Sequence, residues 1–151
     1  MGRMLPDYQG VHIAMKTIGI VGCGNISGIY FKNLTTLFNH VRVKSCADLD
    51  QHRAQAYAEK YPGTQVVTLE EMLKDREIDI VLNLTTPQGH YAVARQAIEA
   101  GKSVYNEKPI ALSREEGSTL LALAAHHGVC IGGAPDTFLG AGIQTCLECI
   151  N

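Results

Sequence analysis

The chain has 151 residues with 13 basic and 15 acidic side chains, which give a formal charge of −2 at pH 7. This length suits one domain with a substantial core, and the balanced charge, free of blocks of like sign, argues against a nucleic acid or a membrane surface as the partner. The longest apolar stretches, such as residues 80–82, are far shorter than the roughly 20 residues of a membrane span, and no secretory pattern begins the chain, so we expect a cytoplasmic protein.

The first elements predict a βαβ unit. Residues 1–14 show no period and are expected to form a flexible N-terminal extension. A short apolar run over residues 17–21 predicts the first strand, and residues 41–47 predict the second. Between them, four apolar or aromatic residues recur at helical spacing: Ile26, Tyr30, Leu34 and Leu37.

The middle of the chain continues this alternation. Asp50 is placed to cap the start of a second helix. A short third strand over residues 65–67 is followed by a brief helix, which Thr68 and Glu71 begin as a capping box. The near-continuous apolar run over residues 78–84 predicts a central strand that is buried on both faces.

Two more helices and two more strands follow. Thr86-Pro87 predicts the start of one helix, because proline is tolerated in a first turn, and Gly101 predicts its end. Residues 103–106 predict the fifth strand. Ser113 with Glu116 then predicts a second capping box at the start of the next helix.

A sixth strand over residues 129–132 completes the pattern. Strands that alternate with helices of this length indicate a Rossmann-type, doubly wound parallel sheet of about six strands, with helices on both faces. We therefore assign residues 15–134 to one dinucleotide-binding domain. Residues 135–151 begin a new element that stops within a helical pattern, which we interpret as a sign of truncation.

A glycine-rich turn follows the first strand directly. Gly22 would permit a tight turn, and Gly24 would let the backbone approach a pyrophosphate. The amides of Asn25 and Ile26, at the start of a helix, would bind the phosphate oxygens. Ser27 stands where the strict pattern has its third glycine, but a small residue still allows the helix to pack on the strand. A glycine turn that binds no ligand is the alternative.

Asp48 ends the second strand, about twenty residues beyond the glycine turn, where an acidic side chain accepts hydrogen bonds from the adenosine ribose. A carboxylate there repels a 2′-phosphate, and no arginine follows it before Arg53. NAD is therefore favoured over NADP. A methyltransferase also combines a glycine turn with an acidic residue, but its loop binds no diphosphate and its strand-to-helix spacing differs.

The carboxyl ends of the fourth and fifth strands lie across the switch point of such a sheet, beside the expected nicotinamide. Candidate coenzyme-binding residues follow both strands: Thr85, Thr86, Pro87, His90, Glu107 and Lys108. For His90, a bond to local backbone at the start of a helix is an equally good interpretation.

With these motifs in place, the chain resembles a known family. The matching positions run from Thr86-Pro87 through His90 and Gly101-Lys102 to Glu107-Lys108-Pro109. Together with GIVGCGNIS at the first strand and ADLD around Asp48, they resemble the N-terminal Rossmann domain of the glucose-fructose oxidoreductase, inositol dehydrogenase and MocA family of NAD(P)-dependent oxidoreductases. The resemblance covers residues 15 to about 145.

This resemblance implies hydride transfer between nicotinamide and a hydroxyl-bearing carbon of a sugar, a polyol or a derivative. It implies that Lys108 is catalytic and bonds both the reacting oxygen and the nicotinamide ribose, where an ammonium can stabilise developing alkoxide charge. It also implies that Glu107 helps to hold this ribose and that Pro109 stiffens the bend.

The resemblance further implies an α+β domain, to which residues 135–151 would lead. That domain would supply much of the sugar pocket, the acid-base histidine and the sheet through which such enzymes form homo-oligomers. Because the chain lacks it, we expect poor activity from the chain alone. A stand-alone nucleotide-binding or sensing module without catalysis is the alternative.

The five cysteines are an odd number and are scattered along the chain, which favours reduced thiols. Cys146 and Cys149 form one isolated CxxC pair, which by itself is weak evidence for zinc or redox chemistry. We therefore predict no metal site.

Overall fold

The computed structural model describes residues 14–134 and 140–150, in which strands and helices alternate. The strands are Lys16–Val21 (β1), Val41–Ala47 (β2), Gln65–Val66 (β3), Ile80–Asn83 (β4), Ser103–Asn106 (β5) and Ile131–Gly133 (β6). The helices are Ser27–Thr36 (α1), Gln51–Lys60 (α2), Leu69–Lys74 (α3), Pro87–Glu99 (α4), Arg114–His127 (α5) and Ala141–Ile150 (α6). Most of the predicted extension, residues 1–13, and residues 135–139 and 151 of the predicted connection lie outside the described residues.

The six strands form one parallel sheet in the order β3-β2-β1-β4-β5-β6. From β1, the chain adds β2 and then β3 on one side of the sheet. It then crosses back, so that β4 pairs with the other side of β1. A crevice therefore opens at the carboxyl ends of β1 and β4, which is where such sheets bind ligands. The predicted fold class, a doubly wound parallel sheet of six strands, is confirmed.

Two apolar clusters cover the two faces of the sheet, since alternate side chains of each strand point to opposite sides. On one face, Ile18, Ile20 and Leu82 pack with Phe31 of α1 and Ala54 of α2. The other face packs against α3, α4 and α5 and contains these buried residues: Val21, Ala47, Met72, Ile78, Val81, Ala94, Ala97, Ile98, Val104, Leu120 and Ala124. Each layer of helices thus fixes its own side of the crevice.

Helix α1 has the predicted position, and its predicted period is confirmed in part, since Tyr30 and Leu34 are partly buried against the core. Ser27 and Phe31 are fully buried beside them, whereas Ile26 and Leu37, the first and last residues of the predicted period, are exposed. The ring of Phe31 stacks on Tyr57 at 4.7 Å and on Tyr61 at 5.0 Å between ring centroids. This aromatic contact fixes α1 against α2.

Several predicted strand ends are wrong by one or two residues, and backbone bonds explain the larger differences. The predicted sixth strand begins too early, because the Val129 N–H bonds back to Ala124 O at the end of α5. The fourth begins too early because the Ile78 N–H bonds to Asp75 O in the preceding turn. The third strand ends at Val66, one residue before its prediction.

The predicted helix starts are confirmed, with one correction. Asp50 accepts a bond from the His52 N–H, and Thr68 forms a complete capping box with Glu71. At α5 the box is only half formed: Ser113 Oγ accepts from the Glu116 N–H, but the Glu116 carboxylate bonds the Leu112 N–H instead. None of the helices in the described part of the chain has the length and apolar character needed to cross a bilayer.

Candidate functional site

Gly22 makes the turn after β1 possible for two physical reasons. Its φ of +97° lies in the left-handed region, which side chains disfavour. In addition, a Cβ atom there would lie 2.5 Å from the carbonyl oxygen of Leu84, just beyond β4. The ends of β1 and β4 can therefore approach each other only with glycine at this position.

Gly24 differs from Gly22, because a Cβ atom there would meet nothing within 4 Å and its φ is not positive. No backbone bond to another described residue uses the N–H groups of Gly24, Asn25 or Ile26. Unused amides at the start of a helix, with open space before them, form a cradle suited to a phosphate group. These residues therefore fit the diphosphate of a dinucleotide.

Ser27 is fully buried, as expected for the third position of the glycine pattern, and its Oγ donates to the Gly24 carbonyl. The hydroxyl of Tyr57 reaches the same carbonyl at 3.3 Å. The loop is thus held from two sides.

Asp48 is half-buried at the end of β2, beside the glycine loop. Its Oδ2 accepts from the Cys23 N–H at 2.6 Å, and its Oδ1 accepts from the Asp50 N–H at 2.8 Å. Each carboxylate oxygen can still accept a second bond. Arg53 extends toward Asp50, with its Nε 3.4 Å from Oδ2 of that residue.

A cleft of about 860 Å³ runs from the glycine loop across the ends of β1, β2 and β4. It contains the predicted residues Gly22, Gly24, Asp48, Thr85 and Thr86. The rest of its wall was not predicted: Val21, Ala47, Leu49, Asp50, Gln51, Arg53, Val66, Val67, Thr68, Leu69, Glu71, Leu84, Gly89 and Val93. These wall residues belong to no coenzyme-binding motif and become neighbours only when β3 pairs with β2 and α4 returns to the sheet.

The loop after β4 is organised by Asn83, which is fully buried. Its Oδ1 accepts from the Thr85 hydroxyl at 2.7 Å, and its Nδ2 donates to Oδ1 of Asn106 on β5 at 3.0 Å. Asn106 in turn donates to the Ile110 carbonyl at 2.8 Å. Two buried amides thus connect the loops that follow β4 and β5, although sequence analysis assigned neither of them a role.

His90 is 1% exposed, and its ring lies between two backbone carbonyls. Nδ1 is 2.6 Å from Pro109 O, and Nε2 is 3.0 Å from Thr85 O. These contacts are those of the interpretation in which His90 satisfies the backbone, and its place in the coenzyme site stays a prediction. The contacts span two loops, because Pro109 lies beyond β5. Pro87, the first residue of α4, is exposed and is not part of the cleft wall.

Glu107 and Lys108 follow β5 with different environments. The Glu107 Oε1 accepts from the Tyr30 hydroxyl at 2.7 Å, and its Oε2 accepts from the Lys108 N–H at 2.8 Å. Lys108 is exposed, and its Nζ makes no hydrogen bond or ion pair with another described residue. The carboxylate is therefore fixed, while the ammonium remains available to a ligand.

The Cys23 thiol beside the loop is unsuited to nucleophilic chemistry. The pKa of Cys23 is raised by its hydrogen bond to Cys46, by burial and by the charge of Asp48, so this thiol stays protonated. Cys146 and Cys149 are exposed on α6. Among residues 14–134 and 140–150, no group of three or more His, Cys, Asp or Glu side chains has the arrangement of a metal site.

Comparison with known proteins gives a consistent result. The family model for Gfo/Idh/MocA proteins, described as an oxidoreductase family with an NAD-binding Rossmann fold, matches residues 16–133. The curated scyllo-inositol 2-dehydrogenase (NADP(+)) IolW of Bacillus subtilis strain 168 is 32% identical over 116 residues, which are 76% of this chain and 31% of that protein. The chain spans about a third of the length of the first curated relatives that it matches.

Two solved structures share the fold at 27% sequence identity. GenD2 from gentamicin A biosynthesis, in complex with NAD, superimposes with a TM-score of 0.85 over 97% of this chain and 42% of that chain. Biliverdin reductase from Synechocystis sp. PCC 6803, in complex with biliverdin and NADP+, gives a TM-score of 0.83 over 89% of this chain and 42% of that chain. The fold is thus shared by proteins that bind either form of the coenzyme.

Proposed function

The chain belongs to the Gfo/Idh/MocA family of oxidoreductases with an NAD-binding Rossmann fold, and on this premise we propose that it binds NAD in preference to NADP and presents Lys108 to the oxygen of a sugar, polyol or related substrate. Its coenzyme is of the NAD(P) class, as the family and the solved relatives show. The preference for NAD or NADP depends on individual residues of the site, since one solved relative is in complex with NAD and another with NADP+.

The observation that carries the proposal is the position of the Asp48 carboxylate. The Cys23 N–H holds it against the glycine loop at 2.6 Å, where it can accept bonds from ribose hydroxyls but would repel a 2′-phosphate. The nearest arginine along the chain, Arg53, is paired with Asp50. That pair is exposed and Arg53 itself lines the cleft, so the proposed preference for NAD rests on Asp48.

The expected binding mode starts in the cleft and continues past its wall, because Glu107 and Lys108 are not among the residues that line it. The amides of Gly24, Asn25 and Ile26 would bind the diphosphate, with Asp48 on the adenosine ribose. Thr85 and Thr86 would line the path toward the nicotinamide, with Pro87 beside them at the start of α4. Glu107 would accept a ribose hydroxyl on that side.

Lys108 is the proposed catalytic residue. When bound, the nicotinamide ring supplies the chemistry of accepting or releasing a hydride. An unpaired ammonium beside the substrate oxygen would stabilise negative charge as the hydroxyl loses its proton. His90 would act through the backbone, because its ring is bonded to Thr85 O and Pro109 O.

The substrate and the assembly of the whole protein are also part of the proposal. Because the chain spans about a third of its curated relatives, the rest of the substrate pocket would come from an α+β domain, to which residues 135–151 would connect. The acid-base partner of Lys108 and the contacts of a homo-oligomer would lie there as well. This chain alone would then bind coenzyme but turn over slowly.

Calorimetric titration of the chain with NAD and, separately, with NADP tests the proposal. Saturable binding of NAD that is at least about tenfold tighter than that of NADP, roughly 1.4 kcal/mol, is expected. Equal affinity for the two would refute the role of Asp48. Binding of neither would refute the function itself.

A further inference from the structure

We propose that Tyr30 is a positioning residue, which sets the direction of the Glu107 carboxylate and thereby couples the diphosphate loop to the Lys108 side of the coenzyme site. The inference rests on the proposed function. Its basis is the hydrogen bond of 2.7 Å between the Tyr30 hydroxyl and Glu107 Oε1, two residues that are 77 positions apart.

Tyr30 is a suitable anchor because its helix is held firmly in place. Three residues before it, buried Ser27 bonds to the glycine loop, and the next residue, Phe31, is fully buried and stacked on Tyr57 and Tyr61. The amides proposed to bind the diphosphate lie at the start of the same helix. A shift of this helix would therefore move both the diphosphate cradle and the Tyr30 hydroxyl.

The backbone around Glu107 is fixed by other bonds. The Glu107 N–H donates to Asn83 O at 2.9 Å, and the buried side chain of Asn106 donates to Ile110 O at 2.8 Å. These bonds hold the backbone of the loop in place without the hydroxyl of Tyr30. What it adds is the orientation of one carboxylate.

That orientation matters because of Lys108. Without the bond from Tyr30, the Glu107 carboxylate can rotate about its side-chain bonds and pair with the adjacent Lys108 ammonium. Its bond to the Lys108 N–H would then be left to resist that attraction. Pairing would remove the ammonium from the ligand and withdraw the carboxylate from the ribose. Tyr30 thus keeps both charged groups directed toward the nicotinamide half of the coenzyme.

The test compares two ligands by calorimetry on the same chain: NADH, and ADP as a probe that lacks the nicotinamide riboside. Tyr30→Phe removes only the hydroxyl and is expected to weaken NADH binding about tenfold, the usual effect of losing a hydrogen bond to a charged group. ADP affinity is expected to stay within about twofold. Tyr105→Phe, which removes another partly exposed tyrosine hydroxyl, is the matched control and should change neither affinity.

A second variant separates positioning from a general structural effect. In the Glu107→Ala background, Tyr30→Phe should weaken NADH binding less than it does in the unmodified chain, because the carboxylate that the hydroxyl orients is gone. Additive effects of the two changes, unchanged NADH affinity in Tyr30→Phe, or equal weakening of NADH and ADP would each overturn the inference. If the unmodified chain binds neither ligand, the proposed function fails and this inference fails with it.

Discussion

The Asp48 carboxylate accepts a hydrogen bond of 2.6 Å from the backbone N–H of Cys23, which lies inside the glycine loop. One carboxylate thus supports the loop proposed to bind the diphosphate and occupies the position proposed to select the ribose. A substitution at Asp48 can separate these two roles.

Asp48→Asn keeps the side-chain shape and one acceptor oxygen but removes the charge that repels a 2′-phosphate. We expect NAD affinity to fall about tenfold and the ratio of NAD to NADP affinity to approach one, by calorimetry. Glu59→Gln is the matched control, because it removes a charge of the same sign from an exposed position of α2 that does not line the cleft. If Glu59→Gln reduced the preference equally, general charge rather than the position of Asp48 would be responsible.

Gly22→Ala and Gly24→Ala are expected to have opposite phenotypes. The added methyl at position 22 meets Leu84 O and a positive φ, so the free energy of unfolding should fall by more than about 2 kcal/mol in urea titrations. At position 24 the methyl meets no protein atom within 4 Å. That variant should keep its stability but lose most of its NAD affinity. Normal NAD binding by Gly24→Ala would show that no phosphate approaches this residue.

His90→Ala should weaken both the fold and the site. It removes a buried ring that lies between Thr85 O and Pro109 O, so we expect a loss of roughly 2–4 kcal/mol in the free energy of unfolding. NADH binding, measured below the unfolding transition, should weaken more than ADP binding. His126→Ala, on the exposed end of α5, is the control and should be neutral. Unchanged stability of His90→Ala would mean that these contacts contribute nothing.

The acid sensitivity of the fold should depend on Asp79, at the amino end of the sheet. The pKa of this carboxyl is lowered from 3.8 by the Thr17 N–H and by Lys16. A carboxyl with a lowered folded pKa stabilises the fold above the unfolded value, and this contribution is lost as the pH falls through the folded pKa. Asp79→Asn should therefore show a smaller loss of stability between pH 6 and pH 3 in urea titrations. An unchanged slope would assign the acid sensitivity to other carboxyls, such as Asp75.

The chain alone should produce negligible NADH when it is mixed with NAD and a panel of sugars and inositols. Lys108 is the one group on the nicotinamide side, within the described residues, that we assign to catalysis, and removal of a catalytic partner typically costs about 10²–10⁴ in rate. Absorbance at the NADH band measures the turnover. Rapid turnover by this chain, abolished in Lys108→Ala, would show that a complete set of catalytic residues lies within it.

Some features could be predicted from the sequence because interactions between neighbouring residues determine them. The strands Val41–Ala47 and Ser103–Asn106 have the predicted bounds, since short apolar runs between turn residues have few alternatives. The caps at Asp50 and Thr68 form as predicted, because an N-cap involves only neighbours within about four residues. The glycine loop and Asp48 came together in the cleft because a βαβ unit brings the ends of successive parallel strands to one edge.

Other features depend on contacts that no local pattern encodes. The strand starts near Ile78 and Val129 were mispredicted because the Ile78 N–H is bonded to the preceding turn and the Val129 N–H is bonded to the end of α5. The apolar period of α1 did not include Phe31, whose burial depends on its stacking on Tyr57 of α2 and on Tyr61 just after that helix.

The sequence by itself determined the class of fold and the coenzyme class, because the alternation of elements, the glycine turn and the acidic residue are each short-range patterns with a physical cause. Only the tertiary structure decided how the two sides of the site are joined. The bonds from Tyr30 to Glu107, from Asn83 to Asn106 and from His90 to two carbonyls cross between elements. Such bonds form only after the sheet is assembled, since a hydrogen bond depends on atomic positions that residue order does not specify.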